Sequence, residues 1–284
     1  MKVLVLGATG MLGNAMFRVL GAANGVTVTG TARDDRARVH FGPEVAPRLL
    51  TGVDVAGQDA LVGAFAATRP DVVVNCVGVV KQLAAAADPL QAVPLNSLLP
   101  HRLAALCRAA GARLVHVSTD CVFSGRRGMY TEADVPDAVD LYGRSKLLGE
   151  VDQPHAVTLR TSIIGHELEG SRGLVEWFLS QEGPVTGYRR AVFSGLPTVE
   201  LARVVRDEVL PRPELAGIYH VAAAPIAKHD LLRLIAETYG KTVDILPCDD
   251  PAIDRSLDAS RFREATGYAP PAWPELIRRM RSFN

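Results

Sequence analysis

Three glycines close to the amino terminus constrain the fold most strongly: Gly7, Gly10 and Gly13. Residues 2–6 form an apolar run that predicts a strand, and the pattern of residues 11–20 predicts a helix. Backbone N–H groups and the helix dipole at such a junction can face a diphosphate, whereas a Cβ would collide there. The spacing is G-x-x-G-x-x-G, which differs from the usual G-x-G-x-x-G. The unit predicts a dinucleotide site, with a simple tight turn as the alternative.

Short apolar runs and helical patterns then alternate along the chain. Further strands are predicted at residues 26–31, 71–75, 113–118 and 156–161, and helices at 58–68, 100–110 and 142–150. Apolar runs between helices are typical of parallel strands that are buried on both faces. We therefore expect an α/β fold with a doubly wound parallel (Rossmann) sheet and right-handed crossovers.

The regular alternation predicts a dinucleotide-binding Rossmann domain over residues 1–160. Glycine, arginine and proline interrupt the pattern beyond it, so residues 161–284 are expected to form a smaller, less regular region that mainly binds substrate. A late strand at residues 217–222 is expected to return to the main sheet, and short helices are predicted at 228–239 and 258–265. Thr198 is expected to N-cap a helix of this region.

Composition narrows the class of protein. The chain has 284 residues, of which 48% are hydrophobic, and its 31 basic and 31 acidic residues cancel, so no net field attracts nucleic acid or an anionic membrane. Its four cysteines are scattered without a C-x-x-C spacing, and its histidines show no metal-ligand spacing. No apolar run approaches the roughly 18 residues of a membrane span. We expect a cytoplasmic protein without a metal, a nucleic acid partner or a membrane partner.

The predicted strand ends supply the remaining cofactor candidates. Arg33 follows the second strand, where an acidic residue would bind the adenosine ribose of NAD, and its guanidinium suits a 2′-phosphate. This favours NADP(H) over NAD(H), although Arg33 in a solvated charged face remains the alternative. The full set of predicted cofactor residues is Gly7, Thr9, Gly10, Met11, Leu12, Gly13, Arg33, Asp54, Val55, Cys76, Val77, Gly78, Tyr142 and Lys146.

A phenol and an ammonium group follow at helical spacing. Tyr142 and Lys146 are separated by four residues, so they share one face of a helix. A nearby cation stabilises a phenolate and lowers the pKa of the tyrosine, which suits proton transfer in hydride chemistry. Thr119 supplies a hydroxyl at the carboxyl end of a predicted parallel strand, where open α/β sheets bind ligands. The catalytic candidates are therefore Thr119, Tyr142 and Lys146.

Four segments together carry a family resemblance: the turn 7–13, the stretch STDCVFSG at 118–125, the segment YGRSKLLGE at 142–150 and SLDASRF at 256–262. The chain resembles the dTDP-4-dehydrorhamnose reductases of the extended short-chain dehydrogenase/reductase superfamily along its whole length. The resemblance implies NAD(P)H-dependent reduction of a keto group, at C4, of a nucleotide-diphosphate sugar in deoxysugar or polysaccharide precursor biosynthesis. A homodimer is common among similar proteins.

The resemblance also implies a role for each residue of the catalytic set. Thr119 would hydrogen-bond the substrate oxygen, Tyr142 would donate the proton, and Lys146 would also bond the nicotinamide ribose. Asn96 matches a helix asparagine usual in these folds, with simple helix packing as its alternative. Candidate contacts to the substrate are Lys81, Asp120, Cys121, Arg189 and Arg255.

Two segments depart from that family. Cys121 stands where a tyrosine is typical, and residues 78–82 read GVVKQ instead of the family sequence. Sugar 4,6-dehydratases place an Asp-Glu pair after the threonine, which this chain lacks. A cysteine in this place, with a histidine, serves as a base in epimerase-reductases resembling GDP-fucose synthase, yet the matching segment 170–175 contains no histidine. An epimerase or epimerase-reductase that uses Cys121 and a non-catalytic NAD(P)-binding regulatory subunit remain the alternatives.

Overall fold

Parallel strands dominate the structure. The computed structural model describes residues 1–81 and 84–283. Its strands are β1 (Lys2–Leu6), β2 (Thr27–Thr31), β3 (Leu49–Leu50), β4 (Val72–Asn75), β5 (Arg113–Thr119), β6 (Ala156–Thr161), β7 (Ile163–Ile164), β8 (Val185–Tyr188), β9 (Ala191–Phe193), β10 (Leu196–Pro197), β11 (Gly217–His220), β12 (Ile226–Ala227), β13 (Ile245–Cys248) and β14 (Ile253–Asp254).

Helices connect these strands. They are α1 (Met11–Gly21), α2 (Gln58–Thr68), α3 (Pro89–Ala92), α4 (Leu99–Ala110), α5 (Leu141–Leu148), α6 (Leu174–Ser180), α7 (Thr198–Val204), α8 (Lys228–Tyr239), α9 (Ser260–Thr266) and α10 (Trp273–Ser282). Short 3₁₀ helices lie at Asp35–His40, Ala46–Arg48, Ala84–Ala87 and Asp120–Val122. π-helical segments, Val93–Leu98 and Val205–Val209, follow α3 and α7 directly.

One seven-stranded parallel sheet has the order β11-β6-β5-β4-β1-β2-β3. The chain moves outward from β1 to β3 and then returns to β4 on the other side of β1. This reversal opens a crevice between the carboxyl ends of β1 and β4, which is the ligand-binding position of such sheets. The predicted doubly wound Rossmann fold is confirmed.

Both faces of the sheet are buried, and the alternation of side chains along β1 shows how. Val3 and Val5 pack with α1 into one hydrophobic cluster, whereas Leu4 and Leu6 pack with α2 and α4 into another. A strand covered on both faces has no polar side, and this explains the continuous apolar runs of the sequence.

The second half of the chain adds an edge strand and small sheets. β11 pairs in parallel with β6, so Gly217–His220 belongs to the main sheet. Short pairs form between β7 and β10, between β8 and β13, and between β9 and both β12 and β14. Along the described ranges, none of the helices combines the length and apolar character that a membrane span requires.

Within residues 161–284, two predicted helix starts differ from the structure. Thr198 is not an N-cap, because α7 begins at Thr198 itself, and the residue lies buried against Gly165. The helix expected at 258–265 begins two residues later, since the Asp258 carboxylate accepts a hydrogen bond of 2.7 Å from the Ser260 N–H.

We expect Gly149→Ala to lower the free energy of unfolding by about 1–3 kcal/mol, because overpacking forces buried groups apart. A Cβ at Gly149 would lie 1.9 Å from the Asn96 carbonyl oxygen. The matched control is Gly63→Ala in the exposed part of α2, where a Cβ meets nothing within 4 Å. Urea unfolding of both variants measures the difference, and equal stabilities would contradict the close approach.

Candidate active site

The glycine turn between β1 and α1 leaves room for an anion. A Cβ on Gly13 would lie 1.9 Å from the Gly7 carbonyl oxygen, so only glycine fits that position. Gly10 precedes α1 and provides no side-chain cap, so the first N–H groups of the helix remain available to a phosphate. Thr9 and Gly10 are exposed, whereas Leu12 is buried in the core. The turn therefore has the shape that a dinucleotide diphosphate requires.

Arg33 lies exposed two residues after the end of β2. Among the described residues, its guanidinium forms no ion pair or hydrogen bond. The acidic neighbour Asp34 accepts a bond from the Arg36 N–H at 3.0 Å. Asp54 is also exposed and accepts a bond of 3.1 Å from the Ala56 N–H, while Val55 packs partly against the core. A cation rather than a carboxylate is thus free beside β2.

The segment after β4 touches both the glycine turn and Lys146. The Cys76 N–H donates to the Leu6 carbonyl at 3.2 Å. A Cβ on Gly7 would lie 2.9 Å from Cγ2 of Val77. A Cβ on Gly78 would lie 3.9 Å from Nζ of Lys146. The predicted cofactor residues of β1, β4 and α5 therefore meet in one crevice.

Asn96 occupies the π-helical segment that joins α3 to α4 and is fully buried. Its Oδ1 accepts the Val79 N–H at 2.8 Å, and its Nδ2 donates to the Val79 carbonyl and to Oγ of Ser145, each at 3.1 Å. The side chain therefore ties the segment after β4 to helix α5, which carries Tyr142 and Lys146.

Helix α5 lies unusually close to the end of β5. A Cβ on Gly143 would lie 2.2 Å from the Cys121 carbonyl oxygen, so the glycine between Tyr142 and Lys146 permits the contact. Oγ1 of Thr119 accepts the Cys121 N–H at 3.1 Å and so fixes the turn that follows the strand. Nζ of Lys146 donates 2.8 Å to the Val117 carbonyl of the same strand.

Burial controls the protonation of the catalytic candidates. It raises the pKa of Tyr142 above its ordinary value, and the Thr119 hydroxyl opposes this only in part. The sequence prediction that a cation lowers this pKa is therefore wrong for this structure. Burial also lowers the pKa of Lys146 to about 8, against the opposing charge of Glu150. At neutral pH the phenol keeps its proton, which is the state that a proton donor needs.

Asp120 and Cys121 lie beside the candidate triad in the short helix after Thr119. Burial raises the pKa of the Asp120 carboxyl, and Arg255 and Lys228 oppose the shift. Burial, together with the charge of Asp120, raises the pKa of the Cys121 thiol to about 12. The structure thus holds Cys121 as a neutral thiol, which is a poor base.

Two predicted substrate contacts border this group. Nε of Arg255 donates 2.8 Å to the Phe123 carbonyl. Nζ of Lys81 pairs at 2.7 Å with Asp140, whose other oxygen accepts the Gly143 N–H at 2.7 Å at the start of α5. Lys81 and Arg255 therefore both lie near Asp140 at the start of the helix that presents Tyr142.

Other candidates lie elsewhere. Arg189 forms an exposed bidentate pair of 2.8 Å with Asp249, and in the part of the chain that the structure describes no contact links it to the triad. His166 contacts Glu176 at 2.5 Å and Tyr239 at 2.8 Å instead of the Cys121 thiol. Gln82, at the end of the divergent segment, lies outside the described residues. Across residues 1–81 and 84–283, no cluster of three metal-ligating side chains occurs.

Comparison with known proteins extends over almost the whole chain. The family model described as "RmlD substrate binding domain" matches residues 1–281. The chain belongs to this family. The match confirms the predicted relationship to dTDP-4-dehydrorhamnose reductases and, at family level, an oxidoreductase of the short-chain dehydrogenase/reductase type.

Individual relatives of this RmlD-family chain carry different names. Methionine adenosyltransferase 2 subunit beta of Mus musculus is 32% identical, covering 97% of this chain and 88% of that protein. The dTDP-4-dehydrorhamnose reductase of Mycolicibacterium smegmatis is 29% identical, covering 87% of this chain and 72% of that protein. The Bacillus anthracis dTDP-4-dehydrorhamnose reductase, solved in complex with NADP, is 20% identical, covering 100% of this chain and 99% of that protein. Its TM-score of 0.81 shows the shared fold.

Several residues that shape the site were not predicted from the sequence. Asp140 caps α5 and pairs with Lys81, and an Asp two residues before the tyrosine is a cap signal that sequence could have supplied. Glu150 stands four residues after Lys146, a spacing that would place both on one face of the predicted helix 142–150, although α5 ends at Leu148. The proximity of Lys228 to Asp120 had no local signal, because it depends on how α8 packs.

We expect the Cys121 and Cys76 thiols to react slowly with iodoacetamide at neutral pH, because burial raises the pKa of each to about 12. Cys248, whose thiol makes an exposed contact with the Asp250 carbonyl, provides the internal comparison. Mass spectrometry of peptides after timed alkylation measures the rates, and urea-unfolded protein shows that every thiol can react. Rapid alkylation of Cys121 in the folded protein would contradict the neutral thiol and would favour its use as a base.

Proposed function

We propose that this RmlD-family chain catalyses NAD(P)H-dependent reduction of the C4 keto group of a nucleotide-activated sugar, in deoxysugar or polysaccharide precursor biosynthesis. We further propose that residues 1–160 bind the dinucleotide, that residues 161–284 mainly bind the sugar nucleotide, and that the enzyme is a cytoplasmic homodimer. Family membership over residues 1–281 supports the reductase chemistry.

One observation carries the proposal: the hydroxyl, phenol and ammonium candidates converge beside the glycine turn. β5 ends at Thr119, and α5 approaches this strand end closely enough to require Gly143. Lys146 contacts the same strand and lies beside Gly78, in the crevice that begins at Gly7. A surface Tyr-Lys pair would have neither the burial nor these contacts.

The residues present fit a nicotinamide dinucleotide, because Gly10 leaves the first N–H groups of α1 without a side-chain cap and Gly13 lets the helix start close to the turn. When bound, the reduced nicotinamide supplies the hydride. Thr119 then donates a hydrogen bond to the substrate oxygen, and Tyr142 transfers its proton to that oxygen. Lys146, with a pKa of about 8, is mostly protonated at neutral pH and holds the nicotinamide ribose.

The sugar nucleotide is proposed to lie over Asp120 and Cys121, between Lys81 and Arg255. Guanidinium and ammonium groups suit diphosphate oxygens, and both cations lie beside the start of α5. The neutral Cys121 thiol lines this pocket instead of the tyrosine typical of rhamnose-forming relatives. We therefore propose that the substrate is a 4-keto sugar that lies beside a thiol here, where those relatives have a tyrosine.

NADP(H) is proposed in preference to NAD(H). Arg33 is exposed after β2, and within the described residues it has no carboxylate partner, while Asp34 bonds to the backbone of Arg36. A free guanidinium there favours a ribose 2′-phosphate.

A second candidate function is a regulatory subunit that binds the dinucleotide without turnover. The observation that favours it is the similarity to methionine adenosyltransferase 2 subunit beta, a relative whose name describes a subunit. Turnover separates the two functions, because a regulatory subunit needs no proton donor. An epimerase would incorporate solvent deuterium at the carbon beside the carbonyl, and Cys121→Ser would lose this exchange. The raised pKa of the Cys121 thiol gives the epimerase function less support.

We expect Tyr142→Phe to lower kcat about 10²- to 10⁴-fold, since the phenylalanine has no proton to donate. The matched control is Tyr219→Phe, because this ring packs against Arg261 and Phe262 and lies outside the site. The assay follows NADPH absorbance with dTDP-, GDP- and UDP-linked 4-keto sugars. Full activity of Tyr142→Phe would contradict the mechanism, and cofactor binding by wild type without turnover on any sugar would favour the regulatory subunit.

We expect Arg33→Ala to raise the Kd for NADPH about tenfold while leaving that for NADH unchanged, because a charged hydrogen bond to the 2′-phosphate is lost. Arg36→Ala is the matched control, since that exposed side chain pairs with Asp34. Quenching of protein fluorescence measures both constants. An equal loss for the two cofactors would contradict the proposed NADP preference.

A further inference from the structure

A buried carboxylate lies behind the candidate triad, and the proposed chemistry does not use it. Glu150 follows α5, four residues after Lys146, and its side chain is only 4% exposed. Its Oε1 accepts from Oγ of Ser118 at 2.7 Å and from Nε of Arg160 at 2.8 Å, and its Oε2 accepts from Nη2 of Arg160 at 2.7 Å. Both oxygens are therefore satisfied by partners on the sheet.

The partners of Glu150 form a polar row across neighbouring strands. Ser118 on β5 is in register with Arg160 on β6, which is in register with His220 on β11. Arg160 lies 3.3 Å from Nε2 of His220, whose Nδ1 lies 2.9 Å from the Tyr130 carbonyl. These contacts require a neutral imidazole that accepts at Nε2 and donates at Nδ1, and burial lowers the pKa of His220 accordingly.

The last residues of β5 are held by one residue of α5 and by a second residue just past the end of that helix. The Val117 carbonyl accepts from Lys146, Oγ of Ser118 donates to Glu150, and the next residue is Thr119. Lys146 within α5 and Glu150 two residues past its end thus hold the strand end at two neighbouring points. The strand cannot shift along its axis without breaking one of these bonds, so the position of Lys146 relative to Thr119 is fixed.

We propose that Glu150 is a positioning residue, held by Ser118 and Arg160, that fixes Lys146 and its positive charge against the end of β5. The role rests on the proposed function, since it assigns a purpose to Lys146. Glu150 touches neither substrate nor cofactor in this scheme and acts through the ammonium group. The chemical class involved remains a nicotinamide-dependent reduction.

A purely structural ion pair is the competing explanation, and the chain contains one for comparison. Glu200 is also 4% exposed, and it bonds to Arg279 at 2.9 Å and to Tyr268 at 3.1 Å. Removal of one partner of any buried pair leaves an unpaired charge and destabilises a protein. Lost stability alone therefore cannot distinguish the two roles, whereas the titration of Lys146 can.

The first readout measures Lys146 directly. Wild type, Glu150→Gln and Glu200→Gln are labelled with a trace of acetic anhydride across neutral and alkaline pH, and Lys146 acetylation is measured by mass spectrometry. Because the Glu150 carboxylate raises the pKa of Lys146, its removal should move the midpoint about one pH unit lower. Glu200→Gln should leave the midpoint unchanged. An unchanged midpoint in Glu150→Gln would overturn the proposal.

The second readout measures catalysis. In Glu150→Gln the alkaline fall of kcat should move to lower pH with the Lys146 midpoint, while KM for the sugar nucleotide stays within about twofold. A fall of kcat at every pH without this displacement would indicate a structural role and would overturn the proposal. The labelling needs no substrate, so a displaced midpoint in a protein without turnover refutes the reductase function and not the electrostatic role of Glu150.

A double variant protects the test against misfolding. Glu150→Gln with Arg160→Met removes both charges, so no unpaired guanidinium stays buried, and such replacements are often tolerated. It should fold and show a Lys146 midpoint displaced in the same direction as in Glu150→Gln, by a smaller amount because the opposing charge of Arg160 is also removed. A midpoint equal to that of wild type in the folded double variant would overturn the proposal.

Discussion

The approach of helix α5 to the end of β5 is the contact on which the whole site depends. Gly143 allows the helix backbone to meet the Cys121 carbonyl, and Lys146 then reaches the Val117 carbonyl at 2.8 Å. Asn96 holds the other side of the helix through Ser145. A side chain larger than hydrogen at position 143 would push the phenol and the ammonium group away from Thr119 together, so the three candidates form one geometric unit.

Burial gives this unit its chemical character. It raises the pKa of Tyr142 and lowers that of Lys146, so the neutral forms of both groups are favoured relative to water. The same effect raises the pKa of the Cys121 thiol to about 12. Burial thus keeps both the phenol of Tyr142 and the thiol of Cys121 protonated at neutral pH.

Local patterns predicted the sheet and the cofactor crevice, because each strand and helix carries its own periodicity. Helix α2 begins and ends as predicted at Gln58–Thr68, and β6 at Ala156–Thr161. The π-helical segment around Asn96 and the pairing of Arg160 with Glu150 had no such signal. Both depend on tertiary packing between segments far apart in sequence, and the sign of the Tyr142 shift depended on burial that composition does not reveal.

The π-helical turn Val93–Leu98 also limits how this protein can change over evolutionary time. A wider turn accommodates more residues than an α-helical turn, and each residue rotates an α-helix by about 100°. Loss of one residue from this segment would restore regular α-helix and swing Asn96 away from Val79 and Ser145. Substitutions can therefore accumulate on the outer face of this segment, whereas its length is tied to the site.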